Sequence, residues 1–251
     1  MIGHDTDFDE LWESAPEPRA PLTEAELAEL PEPARRYLRH AIADGAPLAS
    51  VVRLQMHGTF KMQGQWSPFE AEQVLRVHRG FVWRASIRMK GIPIRGSDRW
   101  VDGEGAVKWK LLGIIPVANE SGPAISRSAV GRAQIEGVLL PPALVAEAVG
   151  WEAVDADHTA ARVRLGDEVS RVELGLGPAG ELRDAVMLRW GTPDGIGTEP
   201  KQERFGCLVE AERTFGDYTI PSQFRVGWYI GTDRWDEGEF FRATIDEAEF
   251  R

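Results

Sequence analysis

Cysteine is nearly absent: the 251 residues contain one, Cys207. A single thiol excludes an intrachain disulfide and a thiolate zinc cluster. Its neighbours Phe205, Val209 and Ala211 share its alternation phase, so it reads as a small buried hydrophobe rather than a nucleophile. No apolar run approaches the roughly 20 residues of a membrane-spanning helix. The opening stretch MIGHDTDFDELWESAPEP has neither the basic start nor the apolar core of a signal peptide, so a cytoplasmic location is expected. Positive charge is also short, with 29 basic against 40 acidic residues and a net charge of −11. That balance speaks against nucleic acid and anionic membrane as partners, because counterion release needs clustered Lys or Arg.

Catalytic and metal motifs are missing too. There is no P-loop, GxSxG, SxxK, CxxC or HExxH. GLGPAG at 175–180 has the GxGxxG spacing. The ELRDAVMLRW that follows alternates like a strand, however, whereas a dinucleotide motif must open a helix. Asp5, Asp7 and Asp9 imitate a calcium loop, yet Glu10 stands where glycine is needed and Pro16 where the closing glutamate belongs. No cofactor and no metal are expected, and residues 1–20 read as an irregular acidic tail.

What the chain does contain is alternation. Val52, Leu54, Met56, Gly58, Phe60 and Met62 alternate with polar neighbours, as do Phe69, Ala71, Gln73, Leu75 and Val77. Phe81, Trp83, Ala85, Ile87 and Met89 continue the pattern. Such period-2 runs mean antiparallel strands with one buried and one wet face. Two more strands are expected at Ile92–Val101 and Ala106–Leu112, joined by a turn at DGEG. A second series follows from Trp151 to Phe250.

Helices are expected in two places. Thr23 and Glu26 form a capping box ahead of a short helix that Pro31 ends. A second helix places Tyr37, Leu38, Ala41 and Ile42 on one face and stops at Gly45. The other place is the interval 119–149 between the two strand series. There Pro123 can open a helix that runs to about Glu136. Arg132 and Glu136 stand four apart on its apolar face and can pair.

The expected architecture is mainly β (α+β). A large curved antiparallel sheet, an incomplete barrel of about 11–12 strands, wraps round the central helical insertion, with an N-terminal helical pair at 21–45. Residues 21–251 form one half-barrel domain, with a first meander at 49–112 and a second at 151–250. The strings LPEPARRYLRHA (30–41), RLQMHGTFKM (53–62), WSPFEAEQ (66–73), GSDRWVDGEG (96–105) and RAQIEGVLLPPAL (132–144) resemble a bacterial family of unknown function. That resemblance spans roughly residues 30–250. It implies a half-barrel similar to the LolA and LppX lipoprotein carriers, which hold acyl chains between a curved sheet and helices. Those carriers are exported, and this sequence shows no export signal.

One residue breaks the pattern. Asp98 shares the inward phase of Ile94, Gly96 and Trp100, so its carboxylate must be paired, sit in a wet cavity or take up a proton; a bulge turning it outward is the alternative. The inward phase is also rich in Trp83, Trp100, Trp109, Trp190 and Trp228, with Phe60, Phe69 and Met89. These aromatics suit an apolar or lipid-like ligand held between sheet and helix, and equally suit a filled core. The ligand-binding candidates are therefore Trp83, Met89, Asp98, Trp100, Trp109, Arg132, Glu136, Trp190 and Trp228. Two other classes stay open. One is a hydrolase or isomerase using Asp98 and Glu136 with Arg132; the other is a noncatalytic interaction module using a sheet edge or the acidic tail.

Overall fold

The half-barrel is a single antiparallel sheet of thirteen strands among the described residues. The computed structural model describes residues 6–62, 64–145, 149–195 and 197–251. The first meander comprises β1 (Val51–Met62), β2 (Gln65–Arg76), β3 (Gly80–Met89), β4 (Ile92–Val101), β5 (Glu104–Leu111) and β6 (Ile115–Ser121). The second comprises β7 (Val149–Ala153), β8 (His158–Leu165), β9 (Glu168–Leu176), β10 (Leu182–Gly191), β11 (Lys201–Phe215), β12 (Tyr218–Trp228) and β13 (Glu239–Phe250). Sequence neighbours pair throughout. The one exception joins the meanders, where β1 lies against β13 with Val52 opposite Phe250 and Phe60 opposite Phe241.

The two edges are thus the mid-chain strands β6 and β7. The segment between them crosses the concave face as α4 (Pro123–Ile135) and two 3-10 turns, Glu136–Leu139 and Pro141–Val145. Pro123 opens α4 at a position where its missing N–H has no role. The helix touches β3 to β6 on one side and β8 to β10 on the other. It buries Val130, Ala133 and Ile135 in the main core. The close of the predicted helical interval, at 146–148, lies outside the described residues, as does Asp5.

The N-terminal pair forms as α2 (Glu24–Ala28) and α3 (Glu32–Ala41). The capping box is present: the Glu26 amide donates to Thr23 Oγ1 at 3.2 Å, and the Thr23 amide donates to Glu26 Oε2 at 2.8 Å. Tyr37, Leu38 and Ala41 of α3 are buried in the concave core.

Three expectations need correction. Residues 6–13 are not an irregular tail but a helix, α1 (Thr6–Glu13). Phe8, Leu11 and Trp12 have helical spacing and form a second apolar cluster with Val51, Val74 and Val82 on the convex face. Fully burying Phe8 and Leu11 gives roughly 1.5–3 kcal/mol each, enough to hold an acidic segment down. The strand count is thirteen rather than 11–12, chiefly because β6 begins before the expected helical interval. Trp190 lies in the outward phase of β10; Ala185, Met187, Arg189 and Gly191 are the residues in phase on the inner side.

Candidate functional site

Asp98 anchors the site from β4. Opposite its neighbour Gly96 stands Trp109 of β5, and a Cβ on Gly96 would lie 2.5 Å from the Trp109 ring. The glycine therefore lets the indole lie across β4, where its Nε1 donates to Asp98 Oδ1 at 2.8 Å. From α4, Arg132 Nη1 donates to Asp98 Oδ2 at 3.4 Å, and its Nε donates to Glu136 Oε1 at 2.7 Å. Gln73 of β2 completes the set, its Nε2 donating to Glu136 Oε2 at 2.7 Å. Each of the four carboxylate oxygens thus accepts a bond from the protein. The Arg132 guanidinium also lies 4.4 Å from the Phe81 ring centroid and 5.3 Å from that of Trp83, where the aromatic faces favour a cation.

Burial raises the Asp98 pKa and outweighs the lowering by Arg132 and by the Trp109 hydrogen bond. The Cys207 thiol is pushed up to about 12 by the same desolvation; it is a neutral group at neutral pH, as the sequence implied.

Arg189 enters from β10. Its stem passes over Gly131 of α4, where a Cβ would lie 3.0 Å from Arg189 Cγ. Nε and Nη2 bond Ser128 O and Oγ at 3.1 and 3.3 Å. The guanidinium rests 4.4 Å from the Phe205 centroid and 5.3 Å from that of Trp228. Burial, then the charge of Arg132, lowers its pKa, although a guanidinium remains charged at neutral pH. Among the described residues Arg189 has no carboxylate in ion-pair contact and Nη1 has no acceptor.

Between these charges and the sheet lies a cavity of about 180 Å³. Arg132, Asp98, Glu136, Gln73 and Arg189 supply its polar side. Its apolar side comes from Phe60, Trp83, Phe205, Phe224, Phe240 and Phe241, backed by aliphatic residues of β1, β12 and the turn after α4. The Trp83 indole N–H, buried in this wall, has no acceptor among the described residues. A larger hollow of about 550 Å³ lies where β9 and β10 part beyond Met187. Its walls include exposed Leu188 and Val169 and the charged Arg127, Arg171, Glu173 and Arg204, so its lining is the more polar of the two.

The sequence-derived candidates divide accordingly. Trp83, Asp98, Arg132 and Glu136 line the cavity. Trp109 braces it through Asp98, and Trp228 stands behind Phe205 at 4.9 Å between ring centroids. Trp100 is buried against Gly80 and does not line the cavity. Met89, half-buried at the end of β3, is also away from it. Trp190 lines the open hollow beneath Arg127, 4.4 Å from its ring. Arg189, Gln73 and the phenylalanines of β11 to β13 escaped the list of candidates. The inward phase of Gln73 was visible in β2, and that of Arg189 follows from Ala185 and Met187.

The motif resemblance is borne out. The family of unknown function DUF6920 matches residues 28–250, and the chain belongs to it. No curated protein matches. Solved structures similar in fold include a LolA superfamily protein from Nitrosomonas europaea, 7% identical, covering 87% of this chain and 92% of that one at a TM-score of 0.45. A DUF1329 family protein from Desulfovibrio piger is 9% identical over 90% of this chain and 92% of its own, at 0.41. A putative outer membrane lipoprotein-sorting protein domain from Vibrio parahaemolyticus is 9% identical over 80% and 86%, at 0.38.

Proposed function

Since the chain belongs to a family to which no chemistry is attached, we propose from the cavity itself that the protein binds an apolar or amphipathic small molecule between the curved sheet and α4. The observation that carries the reading is an aromatic-walled cavity with its charges gathered on one side. The volume sets the class of ligand. An apolar cavity of about 150 Å³ accepts benzene, whereas drug-sized pockets begin near 300 Å³. At about 180 Å³ the space suits one ring or a short acyl chain rather than several long chains. An anionic or acceptor-bearing end would face Arg189 Nη1 and the Trp83 indole.

Thermal shift with short-chain carboxylates, aromatic monoacids, the matching alcohols and longer fatty acids tests this, alongside native mass spectrometry of the purified protein. A binding acid raises stability by RT ln(1 + [L]/Kd), about 2.7 kcal/mol at a hundredfold excess over Kd. Silence across the panel, with no copurified small molecule, would reject the reading.

The second reading is acid–base catalysis, favoured by one observation: Asp98, with its raised pKa, and Glu136 converge on Arg132. Against it, every carboxylate oxygen is already bonded and the nearby thiol is neutral. Turnover of any panel member that Asp98→Asn abolishes without loss of binding would promote it.

A further inference from the structure

Two hairpin turns project side by side from the first meander. The β3–β4 turn holds Lys90 and Gly91 at φ +51° and +82°, and the β5–β6 turn holds Leu112 and Gly113 at +53° and +76°. They are stitched together by the Leu112 amide, which donates to Pro93 O at 2.9 Å. This tip carries Ile92, Leu112, Ile114, Ile115 and Val117, exposed by 45% to 74%. Those are five of the eight large hydrophobic residues exposed among the described residues, so the apolar surface is gathered at one place.

The charge there is equally uneven. Arg88, Lys90, Arg95, Lys108 and Lys110 are all exposed, and neither 88–97 nor 107–119 contains a single Asp or Glu. Three of the chain's five lysines sit here, in a protein of net charge −11. None of the five cations has a carboxylate partner among the described residues, and Arg95 stands directly opposite Lys110 across the β4–β5 ladder. Like charges so placed oppose folding, and no acidic side chain among the described residues relieves them.

We propose that this tip is a docking surface for an anionic phospholipid bilayer. Branched aliphatic side chains at the turns would enter the interface while the lysines and arginines meet the lipid phosphates, their stems lying along the apolar boundary. The cluster satisfies locally the condition that the whole-chain charge does not. A bilayer fits better than a protein for two reasons. The surface projects, with no aromatic anchor or receiving pocket of the kind that dominates protein interfaces. Pro116 also interrupts the outer edge of β6, which blunts strand addition by another chain. The inference does not depend on the cavity being a binding site.

Vesicle flotation tests it with the intact protein. It should float with vesicles containing about one third anionic lipid and much less with purely zwitterionic ones. Binding should weaken from about 0.05 M to about 0.5 M salt as the charges are screened. The paired substitutions Ile114→Asp with Ile115→Asp, and Lys108→Glu with Lys110→Glu, should each lower partitioning at least about tenfold. Their thermal unfolding should stay that of the parent, because the altered side chains are exposed. A dye on Ile114→Cys should shift to the blue on anionic vesicles; Cys207 is buried and stays unlabelled. No flotation with anionic vesicles overturns the proposal, and so does flotation that the aspartates leave intact. Self-association abolished by the aspartates, without lipid binding, would overturn it in favour of a contact between copies of this chain.

Discussion

Around Asp98, three charged side chains lie among aromatic rings; at the β3–β6 hairpins, five aliphatic side chains lie among exposed cations. Both regions reverse the usual partition of polar and apolar groups, but only one is resolved inside the fold. Arg132 meets both Asp98 and Glu136, and Trp109 and Gln73 take the remaining oxygens. At the tip no carboxylate among the described residues answers five positive charges. In a matched, half-buried cluster, removing one member strands the others. An unmatched exposed cluster adds little to stability, so its composition points outward. The cavity should therefore register substitution as stability, and the tip should register it as binding.

Breaking the cavity side of this contrast should have the largest effect. Arg132→Ala takes the ion-pair partner from two half-buried carboxylates and is expected to cost about 3 kcal/mol in urea unfolding, the low end for a buried pair. Trp109→Phe keeps an aromatic side chain but loses the indole N–H and with it one hydrogen bond to a charged group, a loss of about 1.5–3 kcal/mol. If either variant unfolded like the parent, the cluster would be ornamental and the contrast would fail.

A pH series sharpens the comparison further. Burial raises the folded-state pKa of Asp98 above its unfolded value of about 3.9, so the native protein holds that proton more tightly. The stability gained is full below the unfolded pKa and is lost as pH rises through the folded one. Asp98→Asn should remove that decline, and the difference between the two unfolding curves from acid to neutral pH measures it. An unchanged slope would mean that Asp98 is as well solvated as in the unfolded chain. The smallest effect belongs to the tip: Ile114→Asp should move unfolding stability by no more than about 0.5 kcal/mol, even while it weakens vesicle binding.

Much of this was legible in the sequence, and the exceptions share a cause. Clean alternation set the strands, and the phase of Asp98 placed it indoors beside a helix bearing Arg132 and Glu136. The phase of β10 was harder to read because DAVMLRWG offers both Arg189 and Trp190, and hydrophobicity favours the tryptophan. The arginine goes inward because its stem fits over Gly131 and its charge finds Ser128 and two rings. Strand β6 was lost for the opposite reason: Ile115–Ser121 is exposed along nearly its whole length, so no alternation marks it. Helix α1 looked like a tail because its acidic residues hide a three-residue apolar stripe whose partners lie on β1, β2 and β3. A cavity leaves no pattern in the sequence, since it is a shortfall in packing among residues far apart.

The seam between β1 and β13 has a kinetic consequence. All other neighbouring strands in the sheet are successive in the chain and can zip up as local hairpins, whereas this ladder joins Val52 to Phe250. Loop closure over such a span is slow, and high contact order delays folding. During synthesis the first meander can assemble while β1 still offers an open edge, VVRLQMHGTFKM, until the thirteenth strand is made. In that interval the nascent chain is most open to mispairing, so a chaperone or a slowed ribosome would have its greatest effect in the stretch just before β13.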